Sequence, residues 1–243
     1  MAERLAGAEK GLGTPVPGWV APRFPDAVVM EGRYCRLERL TERHADALFR
    51  ANAEDDAIWD YLPYGPFPSE AGYIRWVKDM AALSDPYFYA VVERETGLAS
   101  GVMSYLRITP DVGVIELGHI NLSRRLSQTR AASEAMILMI SWAFGAGYRR
   151  FEWKCNALNL ASRRAAERLG LSYEGVFRQA TISKGRNRDT AWFAAIDREW
   201  PGLQAAYEAW LAPENFDAEG RQKERLSDLT RLVRVASDPV LAR

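Results

Sequence analysis

The chain has 243 residues, 48% of them hydrophobic and 11% aromatic, so it can bury a sizeable core without disulfide or metal staples. Lysine plus arginine equals aspartate plus glutamate at 32 each, and this balance disfavours a general nucleic-acid binder. The two cysteines, Cys35 and Cys155, lie far apart, which argues against a disulfide framework or a zinc cluster and fits a reducing compartment.

Nothing in the chain predicts export or membrane insertion. The N-terminus lacks the apolar core of a signal peptide, and no run approaches the ~20 apolar residues of a membrane span. We therefore expect a soluble cytoplasmic protein with no membrane partner. Residues 1–26, rich in Gly, Pro and Ala, predict a surface arm. Residues 27–200 form the expected main domain, and residues 201–243 an amphipathic helical extension.

The first strand patterns occur at Val28 and over residues 34–40. Thr41 is placed to cap a first helix, and Ser69 to cap a second helix after a loop dense in aromatic residues and proline.

Three strand-like runs follow, at 87–93, 98–108 and 114–122, and the turns between them predict an antiparallel meander. The next helix, Ala131–Phe144, is apolar nearly all round and should be buried against a sheet, ending at Gly145–Gly147.

The run YRRFEWKC, 148–155, alternates as a strand does. A short helix then starts at its cap Asn159 and stops at Gly170. A hairpin turns at KGRNR, 184–188, whose charges we interpret as a solvated turn.

This order of elements predicts an α/β (α+β) fold with a mixed, mostly antiparallel central sheet and helices on both faces. Strands 114–122 and 148–155 should be parallel and joined by a right-handed crossover through the helix. In such sheets ligands bind beyond the carboxyl ends of the strands.

The segment SRRLSQTRAASEAM, 123–136, lies at that edge. A helix start there offers unpaired N–H groups and a positive dipole end, which together suit a phosphate. Side-chain donors, positive charge and small residues come from Ser127, Gln128 and Thr129, from Arg124, Arg125 and Arg130, and from Ala131 and Ala132. The alternative is an ordinary polar loop before a helix.

Together with IELGH at 115–119 and NLASRRAAERLGLSYEGVFRQ at 159–179, this segment resembles the GNAT superfamily of acyl-CoA-dependent N-acyltransferases. It looks closest to the branch that modifies ribosomal-protein N-termini, and the resemblance covers about Val28 to Asp197. The resemblance implies a V-shaped splay between the two central parallel strands. It also implies acetyl-CoA or another acyl-CoA as co-substrate, and no metal.

In that family the loop before the central helix follows Gln/Arg-x-x-Gly-x-Gly/Ala and wraps the CoA pyrophosphate. Here Ser127 replaces the first residue, Arg130 replaces the glycine, and Ala132 fits. Either the loop does not need a left-handed residue at Arg130, or this arginine pairs with a phosphate. The residues that the resemblance assigns to the coenzyme are Ile120, Leu122, Ser127, Gln128, Thr129, Arg130, Ala131, Ala132, Ser133, Asn159 and Ser162.

Asn159 and Ser162 match the family's N-x-x-S motif, which lies beside the CoA thiol, although plain helix capping explains them equally well. Ile120 and Leu122 would hold the pantetheine arm as an added strand, with a backbone N–H near His119 or Ile120 polarising the carbonyl.

Glu116, in an apolar strand, is the candidate base, because burial raises a carboxyl pKa. Its alternative is a salt bridge with Arg107. His119 is the second candidate base, with a structural hydrogen bond as its alternative. The family's acid tyrosine is replaced by Ala166, so Ser162 is the expected proton donor to the leaving thiolate, unless no dedicated acid is needed.

Trp59, Tyr61 and Tyr64 lie where the family walls its acceptor pocket, although they would equally serve as core. The hairpin at 184–189 resembles a feature of close relatives that borders this site, with the solvated turn as the preferred interpretation. The acceptor is a primary amine, on a protein N-terminus, a lysine or a small molecule, and the sequence does not choose. Arginine-rich walls would also suit an acidic acyl chain such as succinyl. The alternative function is a catalytically weak acyl-CoA-binding or interaction module. The C-terminal tail would either cover the sheet or build a homodimer or higher homo-oligomer.

Overall fold

The computed structural model describes residues 11–241. Its eight strands are β1 (Val29–Glu31), β2 (Cys35–Arg39), β3 (Tyr87–Glu93), β4 (Ala99–Thr109), β5 (Val114–Leu122), β6 (Arg150–Asn156), β7 (Ser172–Ser183) and β8 (Arg186–Ile196). They form one sheet in the order β1-β2-β3-β4-β5-β6-β8-β7. Neighbouring strands are antiparallel except β5 and β6, which are parallel, so the predicted mixed, mostly antiparallel sheet is confirmed.

The helices are α1 (Ala45–Asn52), α2 (Glu70–Ala81), α3 (Arg130–Gly145), α4 (Leu160–Arg168), α5 (Trp200–Leu211) and α6 (Leu226–Thr230). Because side chains alternate across a strand, β3 feeds two cores. Tyr89 and Val91 pack into the core that contains α3 and α5, and Phe88 and Ala90 pack into the core that contains α1 and α2. The prediction of helices on both faces is therefore confirmed.

The two parallel strands separate at their carboxyl ends. Their pairing runs from Val114 opposite Arg150 to Leu117 opposite Trp153. Beyond these positions β5 continues to Leu122 and β6 to Asn156 with no register between them. A bulge in β5 adds to the divergence, since three steps along β5 face two steps along β4. This is the predicted V-shaped splay, and it opens a gap in the middle of the sheet.

Helix caps follow the predicted chemistry with one shift. The Ser69 hydroxyl accepts a hydrogen bond from the Gly72 N–H at 3.2 Å and starts α2. Thr41 instead precedes a short 3-10 turn, Glu42–His44, and α1 begins only at Ala45.

The hairpin between β7 and β8 turns more tightly than predicted. Lys184 and Gly185 alone form the turn, with φ angles of 48° and 72°. Two left-handed central residues match the twist of the flanking strands, which permits this two-residue connection. Arg186 to Arg188 consequently belong to β8, and the interpretation of the whole KGRNR segment as a solvated turn is wrong.

The described segments that precede and follow the sheet in sequence pack against this domain. In the N-terminal segment the Trp19 indole donates to the Asp111 carbonyl at 2.9 Å, while residues 1–10 of the predicted arm lie outside the described residues. Beyond the sheet, Trp200 of α5 stacks on Phe144 of α3, with ring centroids 5.1 Å apart. Within residues 11–241, no helix is long and apolar enough to cross a membrane. The domain boundaries at 26 and 200 stay predictions.

Candidate active site

A cavity of about 1770 Å³ opens at the splay. Its walls come from the carboxyl-end halves of β5 and β6, the N-terminus of α3, helix α4, the β7–β8 hairpin, residues 57–63 and residues 216–225. Ligands of sheets with a parallel crossover bind at this edge.

The loop before α3 is arranged to accept an anion. The Thr129 hydroxyl caps the helix by accepting from the Ala132 N–H at 3.1 Å. Gln128 carries the left-handed conformation, with a φ of 64°, and Arg130 is already helical. Of the residues described, none accepts a hydrogen bond from the backbone N–H groups of Gln128, Arg130 and Ala131. The arginine in place of the motif glycine is therefore free of backbone strain, and three amides are left for a ligand.

Arg130 is fixed by its neighbours. Its guanidinium carbon lies 4.6 Å from the ring centroid of Tyr34 and 4.6 Å from that of Phe216. Such cation–π contacts hold the charge without neutralising it. Phe216 belongs to the C-terminal segment, which thus forms part of the wall.

Arginines gather around this helix tip. Arg164 and Arg168 of α4 and Arg225 of the C-terminal segment line the cavity with Arg130. Within residues 11–241, no carboxylate lies within ion-pair distance of any of these four. Arg168 also donates to the Ser133 hydroxyl at 2.5 Å, and burial lowers its pKa. This end of the cavity suits a ligand with several phosphates.

The second motif forms the cap that its pattern allows. The Asn159 side-chain oxygen accepts from the Ser162 N–H at 3.0 Å and starts α4. The Ser162 hydroxyl lines the cavity and accepts from the Trp153 indole at 3.0 Å, which leaves its own hydrogen to donate. Burial raises the pKa of the neighbouring Cys155 thiol, so this group is a poor nucleophile.

Ile120 and Leu122 line the cavity in the part of β5 that no longer pairs with β6. An extended ligand arm can therefore lie along this open strand edge, in the manner of strand addition.

Glu116 is almost fully buried and ion-paired at both oxygens. Its Oε1 lies 2.7 Å from Arg107 Nη1, and its Oε2 lies 2.8 Å from Lys154 Nζ. Lys154 also reaches Glu152 at 2.7 Å. Burial raises the pKa of Glu116, and the two cations oppose that rise. Glu116 therefore forms the predicted salt bridge with Arg107, and it also lines the cavity.

His119 occupies the bulge of β5, with a φ of 50°. Its Nδ1 lies 3.0 Å from the Tyr64 hydroxyl, and the two rings stack with an interplanar angle of 6°. Burial, with the charges of Arg107 and Arg188, lowers the pKa of His119 to about 4. The ring is neutral at pH 7 and holds the structural hydrogen bond that was its alternative role.

The three aromatic residues that the resemblance assigns to the acceptor lie in three different environments. Tyr61 is exposed on the cavity wall, where its hydroxyl donates to the Leu158 carbonyl at 3.3 Å. Tyr64 lies behind the wall between His119 and Trp76. Trp59 is 2% exposed and packs in the second core, which supports the core alternative for this residue.

Several cavity residues were not singled out from the sequence. They are Lys154, Arg188 and Trp192 around the splay and Phe216 and Arg225 in the C-terminal segment. The alternation of β8 was the available signal, since Arg188, Thr190 and Trp192 share one face of that strand. Among residues 11–241, no group of three or more His, Cys, Asp or Glu side chains is placed to hold a metal ion.

A model of the acetyltransferase (GNAT) domain matches residues 35–172. A GCN5-related N-acetyltransferase from Brucella melitensis is 42% identical, covers 89% of this chain and 100% of its own, and superposes with a TM-score of 0.87. An uncharacterized N-acetyltransferase, p20, from Bacillus licheniformis is 25% identical over 173 residues, which is 68% of this chain and 97% of that protein.

The chain therefore belongs to the GNAT acetyltransferase family, as the resemblance predicted. Within that family it is an N-acetyltransferase. RimL, a ribosomal L7/L12 α-N-protein acetyltransferase, is 22% identical with a TM-score of 0.61, over 69% of this chain and 93% of its own. That likeness is one of fold.

Proposed function

We propose that this protein transfers an acyl group, most often acetyl, from acyl-CoA directly to a primary amine. The observation that carries the proposal is the cavity at the splay. It joins an open strand edge to a helix tip where, among residues 11–241, three amides have no acceptor and four arginines have no carboxylate partner. A long ligand with an amide-rich arm and an anionic end matches both parts.

The coenzyme fits these residues by charge and by hydrogen-bonding capacity. The free amides of Gln128, Arg130 and Ala131 suit its pyrophosphate, and Ile120 and Leu122 offer the strand edge for its pantetheine arm. The side chains of Thr129 and Ser133, together with the small Ala132, shape the helix tip. When bound, acyl-CoA supplies an activated thioester carbonyl. We place its thiol end beside Asn159 and Ser162.

The chain itself supplies proton transfer and polarisation. Glu116 takes the proton of the acceptor amine, directly or through a water, since burial raises its pKa toward the useful range. A backbone N–H at the His119–Ile120 bulge polarises the acyl carbonyl. The Ser162 hydroxyl donates a hydrogen bond to the departing thiolate, which takes its proton from solvent. We assign no base role to His119, because its pKa of about 4 and its bond to Tyr64 leave it a weak acceptor.

The pairing of Glu116 with two cations favours one alternative, a binding module with little turnover. The acceptor's class within the amines, the homo-oligomeric state and the cytoplasmic location stay predictions. Of the three aromatic residues predicted to bind the acceptor, Tyr61 is the one that lines the cavity.

The test combines binding and turnover. Saturating coenzyme A should shift the amide resonances of Gln128, Arg130 and Ala131, and acetyl-CoA with a panel of amines should release free thiol. Glu116→Gln should lower kcat/KM about a hundred-fold, the usual contribution of a positioned base. The matched control is Glu174→Gln, an exposed carboxylate paired with Arg150 away from the cavity.

Unmoved amides would overturn the proposal. Coenzyme binding without thiol release on any amine would establish the binding module instead. Turnover that survives in Glu116→Gln would remove the base assignment alone.

A further inference from the structure

The cavity carries more positive charge than the coenzyme's phosphate end explains. Eight of its lining residues are lysine or arginine, and one lining residue among 11–241, Glu116, is a carboxylate. That carboxylate is already bound by Arg107 and Lys154. Glu116 is therefore not available to neutralise a further cation on the cavity wall.

Arg188 is such a cation. Within the described residues its side chain has no ion pair and no hydrogen bond, and its Nε is buried without an acceptor. Four residues further along the strand, on the same face, the indole N–H of Trp192 is also buried without an acceptor. Arg188 lines the cavity, so its unpaired charge is available there to an anionic ligand.

The position of Arg188 links it to the reacting groups rather than to the phosphate end. The last register position of β6 with β8 is Asn156 opposite Thr190, so Arg188 lies beyond the end of β6, in the open part of the splay. Arg188 and His119 line the same cavity, and the charge of Arg188 contributes to the lowered pKa of His119.

The wall that carries Arg188 is held in place. At the tip of its hairpin, the Lys184 ammonium donates to the Trp59 carbonyl at 2.8 Å. The indole ring of Trp192 is covered by Phe177, with centroids 4.5 Å apart, and by the Lys154 ammonium, 3.9 Å from its centroid. Arg188 is thus presented by a supported strand.

We propose that Arg188 binds a carboxylate of the reacting substrates. A guanidinium is a donor only, and a carboxylate can accept two parallel hydrogen bonds from its planar fork. The cationic surroundings also favour the neutral amine over the ammonium, which transfer requires. A substrate that bears its own carboxylate is attracted to this cationic wall, whereas a simple neutral amine is not. This inference rests on the proposed function and narrows its substrate class.

The carboxylate has two sources. It belongs either to the acceptor, as in an amino acid, or to the far end of a dicarboxylic acyl chain. Two arms of one experiment separate them. In the first, acetyl-CoA is offered with each common amino acid and with the corresponding α-carboxamide. In the second, succinyl-CoA is compared with butyryl-CoA, its uncharged four-carbon match, on the same amides.

In at least one arm, the carboxylate-bearing member of a pair should show a kcat/KM roughly ten-fold or more above that of its match, the size of a charge-assisted bond. Arg188→Gln should erase that preference while the Kd for coenzyme A stays unchanged. Arg186→Gln is the matched control, because this exposed arginine on the same strand does not line the cavity.

Absence of a carboxylate preference in both arms would overturn the inference and leave the proposed function standing. A preference that persists in Arg188→Gln would also overturn it. If acetyl-CoA and succinyl-CoA both fail to turn over, the proposed function fails. The inference is then tested by titrating succinate and succinamide into the coenzyme A complex, where equal weak binding rejects it.

Discussion

His119 is a neutral ring buried between aromatic neighbours, and this burial makes folding sensitive to acid. The folded-state pKa is about 4 against 6.5 for the free side chain, so the unfolded chain binds the proton first as pH falls. The stabilising contribution is therefore complete above pH 6.5 and is lost as pH falls toward 4. The difference between these two pKa values corresponds to about 3 kcal/mol.

We expect His119→Asn to flatten this dependence, since asparagine tolerates the left-handed backbone and does not titrate. Urea unfolding at steps between pH 7 and pH 4.5 measures the free energy of unfolding of both proteins. Parallel curves for the wild type and the variant would show that His119 does not carry the effect.

The carboxylate of Glu134 stabilises the fold through hydrogen bonds to the backbone. From α3 its carboxylate accepts the backbone N–H groups of Arg33, Tyr34 and Cys35 at 2.7, 2.6 and 2.9 Å. Glu134→Gln replaces one acceptor oxygen by an NH₂ group that faces a backbone donor. We expect a loss of about 2–3 kcal/mol in the free energy of unfolding with an unchanged m-value in urea. A loss below about 0.5 kcal/mol would mean that the turn before β2 relaxes around the new amide.

At the scale of one element, α3 depends on its N-cap. The Thr129 hydroxyl accepts from the Ala132 N–H, and it donates to the Leu126 carbonyl at 2.7 Å. Thr129→Ala removes both bonds and should cost about 1 kcal/mol or more of stability, while Thr129→Ser should retain most of it. Chemical denaturation of the three proteins side by side checks this. Equal losses in both variants would assign the effect to the threonine methyl group rather than to the cap.

The elements were largely predictable from local patterns, because each pattern has a local cause. Alternation located β6, and capping chemistry located the starts at Ser69 and Asn159 within a residue. Composition alone did not separate Trp59 from Tyr61, since both are aromatic and lie two residues apart. Their burial depends on how the loop turns at the sheet. The left-handed His119 likewise depends on the β4 register, which no local pattern encodes.

The family motifs predicted several residues that line the cavity, but they did not predict the residues that distant segments bring to it. Arg188 was interpreted as part of a solvated turn because its neighbours in sequence are polar and charged. It faces the cavity because the turn ends at Gly185, three residues earlier than expected. Phe216 and Arg225 lie outside the 35–172 match and reach the arginine-rich end of the cavity by folding back across α3 and α4.

Considered as a whole, the molecule closes the arginine-rich end of its cavity with a segment that follows the central sheet in sequence. The aromatic contact of Phe216 with Arg130 joins that segment to the tip of α3. The Tyr207 hydroxyl of α5 donates to the Leu169 carbonyl at the end of α4, at 2.6 Å. The C-terminal residues therefore support the site's positive end as well as covering the core.

The strongest attachment of this segment is one buried ion pair. Arg163 of α4 donates two hydrogen bonds to Asp238, each of 2.6 Å, and the side chains are 3% and 0% exposed. Arg163 also donates to the Ala157 carbonyl at 2.7 Å, so it orients the start of α4 beside Ser162. Asp238→Asn removes the charge and leaves a buried guanidinium uncompensated. We expect a loss of about 3–5 kcal/mol in the free energy of unfolding.

Replacing both partners separates the pair's own contribution from the cost of leaving one charge alone. Arg163→Met with Asp238→Leu should recover most of the lost stability, because two apolar side chains need no partner. Urea unfolding measures the recovery, and titration with coenzyme A reports whether α4 keeps its position. Asp217→Asn, which breaks an exposed pair with Arg221, is the control and should change stability little. A double variant as unstable as Asp238→Asn would mean that the segment is held by the geometry of the salt bridge, and not by the burial that surrounds it.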